Sequence, residues 1–485
     1  MSEIIRISKV NETYVKLFCN DGIAFEISEL FTFTVPGVQF IPAFKKKRWK
    51  GEIKLFSAFN RLLYQGLIEK LIEFCNSRNY SVEFDNISDF SNVEFSLIEA
   101  KQFIKSLNIP PQFEERDYQI ESIVHCIRHS KSLLLSPTSS GKSLMMYILA
   151  QYYRKRTLII VPTINLVYQM SEDFISYGMN ENWIHKIKAG IEKETDKPII
   201  ISTWQSLDGL NKEWFDKFDV VMVDEVHGAK AKILKEIVSN KLDNCKYKIG
   251  LTGTINPEEV SILTITGLFG PAKQVITTRE LIDLGYASNL SIKMLVLNHS
   301  DEEKKKLFKA TYQDEINYLI SHKRRNNFIK NLVMSLEGNT LLLFSRVEGH
   351  GKILYELIKE HSDDRKVFYI HGEVDGDERN SVRAIVENEK DAIIVASYRT
   401  FSTGVSIKKL NNAIFASPSK ARITIFQSIG RTLRKTKTKT EATLYDISDD
   451  LTYNKKRNYT LNHLVERIKM YIEEKFIYKM YRINL

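Results

Sequence analysis

Cysteine is scarce in this chain: four in 485 residues, Cys19, Cys75, Cys126 and Cys245, far apart and with no CxxC pair. That spacing offers no disulfide framework of the kind a secreted domain needs, and the four read as small buried hydrophobes in a reducing compartment. Long apolar runs are missing as well. None approaches the roughly 18 residues that span a bilayer, and the opening MSEIIRISKV alternates charge with apolarity instead of building a signal peptide. The expectation is a soluble cytoplasmic protein with no membrane partner. The first 100 residues carry no catalytic motif, and no sequence-level repeat relates the later parts of the chain.

Positive charge, by contrast, is in excess. Lys and Arg total 70 against 60 for Asp and Glu, a net +10, which favours an anionic polymer as partner over an acidic substrate. The length suggests about three domains at roughly 100 to 200 residues each. Residues 1–100 read as a small α+β domain, with strand-like runs at Thr13–Phe18 and Ala24–Ile27 and a helical stretch at Leu67–Phe74. Within it, Lys45, Lys46, Lys47 and Arg48 stand in a row between Phe44 and Trp49. Two readings of that string stay open: phosphate contact with base stacking on Trp49, or a hairpin edge protected by lysines.

After Pro110-Pro111 short apolar runs alternate with longer amphipathic segments, the texture of an α/β fold with a parallel sheet covered on both faces. Strands are expected at Leu133–Leu135, Leu158–Val161, Ile199–Ile201, Val220–Val223 and Ile249–Leu251. The pattern resumes after about residue 285, at Thr340–Phe344, Val367–Ile370, Ile393–Ala396, Ala413–Ala416 and Ala442–Tyr445. The expected domains are 1–100, 101–284, 285–450 and a carboxyl-terminal helical extension, 451–485. In the last, apolar residues from Leu461 to Met480 recur at spacings of three and four.

The chemistry concentrates in two strings. Ser136-Pro137-Thr138-Ser139-Ser140-Gly141-Lys142-Ser143 joins a strand to a helix, as a phosphate-binding loop must if backbone N–H groups and a helix N-terminus are to face phosphate oxygens. Gly141 permits the turn, Lys142 reaches the β and γ phosphates of ATP, and Ser143 ligates Mg²⁺. The string departs from the usual pattern at Ser136 and Ser139. Farther on, Val220-Val-Met-Val-Asp224-Glu225-Val-His227 is an apolar strand ending in two acids. There Asp224 serves the metal and Glu225 orients the attacking water.

With these strings in order, residues 113–450 resemble a DExH-box member of helicase superfamily 2, which implies two RecA-like parallel-sheet lobes in tandem. Phe113 with Arg116-Asp-Tyr-Gln119 resembles the adenine-reading Q motif. Pro162-Thr163 resembles motif Ia and Thr203-Trp-Gln205 motif Ic, both backbone-contacting loops. Thr252-Gly-Thr254 resembles the coupling motif III, to which His227 belongs functionally. Phe344-Ser-Arg346 is similar to motif IV. Ser402-Thr403-Gly404-Val-Ser406 is similar to motif V, although Ser406 stands where Asp or Asn is common. Gln427-Ser-Ile-Gly-Arg431-Thr-Leu-Arg434 matches the QxxGRxxR of motif VI, whose arginines share one helical face.

A narrower resemblance is to the recombination helicases of T-even-like phages. It is carried by Phe40-Ile-Pro-Ala-Phe44, Trp49-Lys-Gly51, Phe401-Ser-Thr-Gly404 and Glu474-Lys-Phe476. It implies an ATP- and Mg²⁺-dependent monomeric motor on single-stranded and branched DNA, including the RNA of R-loops, in the host cytoplasm. Two alternatives stand beside it: an RNA helicase, and a nucleic-acid binding or annealing module with weak ATPase.

Overall fold

The computed structural model describes residues 3–35, 37–188, 190–227, 232–253, 259–374, 376–404, 407, 409–417, 419, 421–433 and 439–485. By its internal contacts the chain divides into two compact units, residues 1–136 with 141–275, and residues 276–485 with the loop residues 137–140.

The first unit begins with strands β1 (Ile4–Lys9) and β2 (Tyr14–Phe18), then β3 (Thr32–Thr34), β4 (Glu52–Lys54), β5 (Leu62–Tyr64) and β6 (Ser81–Phe84). Among the described residues β5-β2-β1-β6 form one mixed sheet, and β3 and β4 a separate hairpin. Alternation decides the strands: Ile5 and Ile7 are buried while Arg6 between them is exposed. The run Ala24–Ile27, expected as a strand, lies instead within the helix Asp21–Leu30. Asn20 caps that helix by accepting from the Ile23 N–H, and Ile23, Ala24 and Ile27 share its buried face. A four-residue apolar run fits either period, and the cap settled the choice.

A parallel sheet follows, built from β7 (Lys131–Leu135), β8 (Thr157–Val161), β9 (Ile184–Ile187), β10 (Ile199–Thr203), β11 (Val220–Asp224), β12 (Tyr247–Thr252) and β13 (Ala272–Gln274). The strand order is β13-β7-β12-β11-β8-β10-β9. All five residues of β8, β10 and β11 are buried, which explains the apolar runs Leu158–Val161, Ile199–Ile201 and Val220–Val223 within them. One sheet face shares a single core with the amino-terminal strands: Ile5, Ile7, Val15, Leu17 and Leu63 join Leu158, Ile160, Val221, Val223 and Phe269. The other face is covered by the helices Asp117–Arg128, Lys142–Tyr153 and Ile164–Ser176. Gly66 sits so close to the helix Glu259–Phe269 that a Cβ there would lie 2.0 Å from the Thr266 carbonyl oxygen.

Two lysines are sealed into this shared core. Lys131 pairs with Glu12 at 3.0 Å, whereas Lys248, fully buried, donates among the described residues to the Thr13 hydroxyl at 2.5 Å and the Val238 carbonyl at 3.2 Å, and to no carboxylate.

The second unit holds β14 (Asn289–Asn298), β15 (Thr340–Phe344), β16 (Val367–Ile370), β17 (Ile393–Ser397), β18 (Asn412–Phe415), β19 (Glu441–Asp450) and β20 (Ile477–Asn484), in the order β16-β17-β15-β18-β19-β14-β20. Every pairing among the described residues is parallel. The carboxyl end corrects the sequence expectation. The helix Tyr459–Glu473 stops well before Met480: Lys475 turns to φ 55°, and the N–H groups of Lys475 and Phe476 return to the carbonyls of Ile472 and Tyr471. This Schellman closure frees Ile477–Asn484 to add β20 beside β14. The spacing of three and four that runs through Phe476 and Met480 is coincidental, and the β-branched and aromatic content of the segment decides its state.

The burial of Lys248 beside neutral partners yields a pH test. Burial pushes its ammonium down to about 7 from 10.5, so between those values the unfolded chain holds a proton that the folded chain does not. The penalty is full below the folded value and fades as pH rises. The stability of Lys248→Met relative to wild type should therefore be greatest near pH 6.5 and decline toward pH 9.5, measured by urea denaturation. A difference independent of pH would contradict it.

Candidate functional site

The site in the first unit is assembled where β7, β12 and β11 end side by side. The Ser136 N–H donates to the Thr252 carbonyl at 2.8 Å, locking the start of the phosphate loop onto the end of β12. Gly141 then takes φ 84° and opens the helix Lys142–Tyr153. A Cβ at Gly141 would lie 2.1 Å from Gln119 Nε2, so both the backbone turn and the packed Gln119 amide require glycine there. Gln119 is itself fixed, its Oε1 accepting from the Arg116 N–H at 2.9 Å. Ser139 also turns to φ 72°, so the residue replacing a common glycine adopts the conformation glycine favours. The Ser140 hydroxyl closes the loop by donating to the Pro137 carbonyl at 2.6 Å. Thr138, the remaining loop residue, is half-buried.

The carboxylates complete the arrangement. Lys142 Nζ reaches the Ser136 carbonyl at 3.3 Å and Glu225 Oε1 at 3.4 Å. Glu225 Oε2 accepts from the Thr252 hydroxyl at 3.3 Å and lies 3.1 Å from His227 Nδ1, which is 3.0 Å from the same hydroxyl. Glu225 is held at φ 54°, a left-handed backbone costing about 1 kcal/mol or more in a non-glycine residue. Burial pushes the Asp224 carboxyl up. Burial acts in the same sense on Glu225, but Lys142 and His227 outweigh it and hold that carboxyl well below its usual range. The pair thus divides its roles by environment. Asp224 Oδ1 is buried with no hydrogen-bond partner among the described residues, the condition of an oxygen available to a cation.

Phe113 packs edge-on against Tyr177 with ring centroids 4.8 Å apart, and the Tyr177 hydroxyl lies 2.9 Å from Ser143 Oγ. Burial raises the Tyr177 phenol to about 12, so it stays neutral beside Ser143. Sequence reasoning missed Tyr177 because it follows the helix Ile164–Ser176 and belongs to no string that carries chemistry. Arg116 Nη1 donates to the Tyr118 hydroxyl at 2.7 Å.

A second cleft of about 590 Å³ gathers Pro162, Thr163 and Thr203 with Lys188, Lys193 and Gln205. Motifs Ia and Ic are therefore brought together, and two lysines join them that no motif marked. The cationic string lies on a separate element, the connection between β3 and β4. Its Lys45, Lys46, Lys47 and Arg48 are exposed, while Trp49 is half-buried and its indole N–H donates to the Glu52 carbonyl at 3.0 Å. Trp49 thereby braces the loop.

In the second unit Arg346 Nη1 donates to Asn317 Oδ1 at 2.8 Å. Gln427, half-buried, and the Arg431 backbone lie in the helix Arg422–Thr432, and the Thr403 and Gly404 backbones in the helix Tyr398–Gly404. The side chains of Arg431 and Thr403, together with the whole of Thr254, Ser406 and Arg434, lie outside the described residues.

Two units with parallel sheets, one carrying a phosphate loop tied to an Asp-Glu strand end, define a nucleotide-driven helicase of superfamily 2. Family models agree: "Type III restriction enzyme, res subunit" matches residues 112–257, "Helicase conserved C-terminal domain" residues 324–436, and "DNA helicase UvsW, N-terminal" residues 5–85. The chain is 36% identical over 501 aligned residues to the ATP-dependent DNA helicase uvsW of Enterobacteria phage T4, covering 98% of each. The crystal structure of T4 UvsW superposes with a TM-score of 0.52 at 33% identity over the whole of both chains. A DNA 3′-5′ translocase, XPB2, of Sulfurisphaera tokodaii is 24% identical over 80% of this chain and 90% of its own. The chain belongs to the UvsW family of ATP-dependent DNA helicases.

Replacing Gly141 by Ala should keep the fold, with the circular-dichroism melt lowered by a few degrees, while weakening binding of a fluorescent ATP analogue by at least about tenfold, since the loop must shift from both its φ and its contact with Gln119. Wild-type affinity would show that neither constrains the loop.

Proposed function

We propose that this chain is an ATP- and Mg²⁺-dependent DNA motor that remodels branched DNA such as forks, D-loops, R-loops and four-way junctions, in recombination, repair and replication restart. The observation that carries the reading is the Lys142–Glu225–His227–Thr252 network, because it places a base, a phosphate-binding cation and a coupling hydroxyl within one set of hydrogen bonds. The kinship with the phage helicase supplies the polymer.

In this mechanism Lys142 leaves Glu225 for the β and γ phosphates of ATP, and Glu225, released, accepts the proton of the attacking water. Ser143 and Asp224 would hold Mg²⁺, which would supply charge neutralisation for the phosphates. The orphaned Asp224 oxygen and the Ser143 hydroxyl suit a hard cation. Gln119, with Phe113 and Arg116, orients the base. Arg431 and Arg434 of motif VI add positive charge at the γ-phosphate, and Gln427 contributes a neutral hydrogen-bonding amide. Loss of that phosphate returns Glu225 to Lys142, and the Thr252 and His227 contacts carry the change along β12 and β11. Pro162, Thr163, Thr203, Arg346 and Thr403 hold the strand by its backbone, so little base readout is needed and sequence preference is low. Lys46, Lys47 and Arg48 add a grip on phosphates, presented by the loop that Trp49 braces.

Steady-state ATPase without polymer, with single-stranded DNA, with forked DNA and with matched RNA tests the reading. DNA should stimulate turnover, most strongly on forks, and Lys142→Ala should abolish it. Glu225→Gln should retain ATP binding while turnover falls by about 100-fold or more. A rate indifferent to every polymer would sink the motor reading, and preference for RNA forks would select an RNA helicase.

A further inference from the structure

Residues 416–421 join β18 to the helix Arg422–Thr432 that bears motif VI. Backbone carbonyls in a connection of this kind need donors from other elements once they leave solvent. Three buried side chains supply them. Arg325 Nη2 donates to the Ala416 carbonyl at 2.8 Å, the Tyr398 hydroxyl to the Ser417 carbonyl at 3.0 Å, and Arg467 Nη1 to the Ser419 carbonyl at 2.8 Å. The donors stand on three different helices, Lys323–Ser335, Tyr398–Gly404 and Tyr459–Glu473.

Arg467 does more than balance a charge. Its Nε and Nη2 donate to the two oxygens of Asp446 at 2.8 and 2.7 Å, which satisfies the ion pair and leaves Nη1 to hold Ser419. A lysine could neutralise Asp446, but its ammonium does not reproduce the planar fork that serves both carboxylate oxygens and a carbonyl together. The helix presenting Arg467 is itself pinned at its start, where the buried Glu315 accepts from the N–H groups of Tyr459 and Thr460 at 2.9 and 2.8 Å.

The far end of the motif VI helix is fixed as well. The N–H of the buried Ser288, just before β14, donates to the Leu433 carbonyl at 2.9 Å. Along the helix, Phe426 meets Phe476 with ring centroids 6.4 Å apart. Such restraint matters for a group that must meet a transferring phosphate, because a misplacement of about 1 Å can cost about 100-fold in rate.

We infer that Arg467, aided by Tyr398, is a positioning residue for motif VI. By holding the connection at the Ser419 and Ser417 carbonyls, the two side chains set where the helix Arg422–Thr432 begins and so where Arg431 is carried. Arg467 lies in the carboxyl-terminal extension, outside every motif in the sequence. The inference rests on the reading of Arg431 as a cation acting at the γ-phosphate, and it gives the extension a part in hydrolysis, separate from binding nucleotide or DNA.

A double-mutant cycle on the full chain tests it, with Arg467→Lys, Arg431→Ala and the two combined. ATP hydrolysis is followed in single turnovers with single-stranded DNA, which keeps slow variants measurable. Arg467→Lys alone should lower the maximal rate about tenfold and leave the half-saturating concentration within about twofold of wild type. Against Arg431→Ala the same substitution should bring little further loss, because the group it positions is already gone. A lowered melting temperature with a wild-type rate, or losses that multiply in the double variant, is the mark of a purely structural tie and overturns the inference.

If Arg467→Lys fails to fold by circular dichroism, Tyr398→Phe decides through the same cycle, since it removes one hydroxyl from the connection and leaves both ion pairs intact. It should be about threefold slower alone and indistinguishable against Arg431→Ala, and a wild-type rate overturns the inference. An Arg431→Ala protein as fast as wild type defeats the motif VI reading and the inference with it. A slow Arg431→Ala beside wild-type rates in the other two variants defeats the inference alone.

Discussion

The contact on which the first unit turns is the one between Lys142 and Glu225, 83 residues apart in the chain. It exists because β12 lies between β7 and β11, so that the end of the phosphate-loop strand and the end of the acidic strand share one neighbour. Ser136 is pinned to Thr252 by a backbone hydrogen bond, and Thr252 in turn holds Glu225 and meets His227. Removing any member changes the position of the others. The left-handed backbone at Glu225 persists because the ammonium, the hydroxyl and the imidazole fix its carboxylate from three sides. Asp224, one residue earlier and more deeply buried, has no such set of partners. Adjacent acids of the same chemistry are thus driven to opposite protonation tendencies.

The second unit is tied by buried ion pairs. Arg325 with Asp449 and Arg467 with Asp446 are all fully buried, and the Tyr471 hydroxyl adds a third donor to Asp446 at 2.9 Å. Breaking such pairs by removing one partner costs about 3 to 5 kcal/mol, because the other charge stays buried. Both carboxylates lie on β19, whose neighbours are β18 and β14, so the arginines fix the helices Lys323–Ser335 and Tyr459–Glu473 against the middle of the sheet.

Much of the scaffold was legible because a strand buried on both faces is apolar along most of its length. Val220–Val223 and Thr340–Phe344 could be placed from that alone. Shorter or edge strands escaped the same logic. β9 and β13 have too few residues to establish a pattern, and β20 at the sheet edge mixes exposed Ile477, Met480 and Tyr481 with lysine and arginine. Nor could composition reveal that the amino-terminal strands share their core with the following sheet. That depends on which faces meet, and the small residues that permit the approach, Gly66 and Gly267, look like any other glycines in the sequence.

The sequence by itself determined the loop of Gly141-Lys142-Ser143, the acids at the end of β11 and the order of the motifs, because phosphate and metal chemistry accept few residue types at few spacings. Tertiary structure alone decided which groups meet: Tyr177 beside Ser143, Lys188 and Lys193 beside motifs Ia and Ic, and Arg325 beside Asp449. The physical reason is that local spacing fixes what a segment can do, whereas contact between distant segments is set by strand order and by which buried charges find partners. Those depend on the folded chain as a whole.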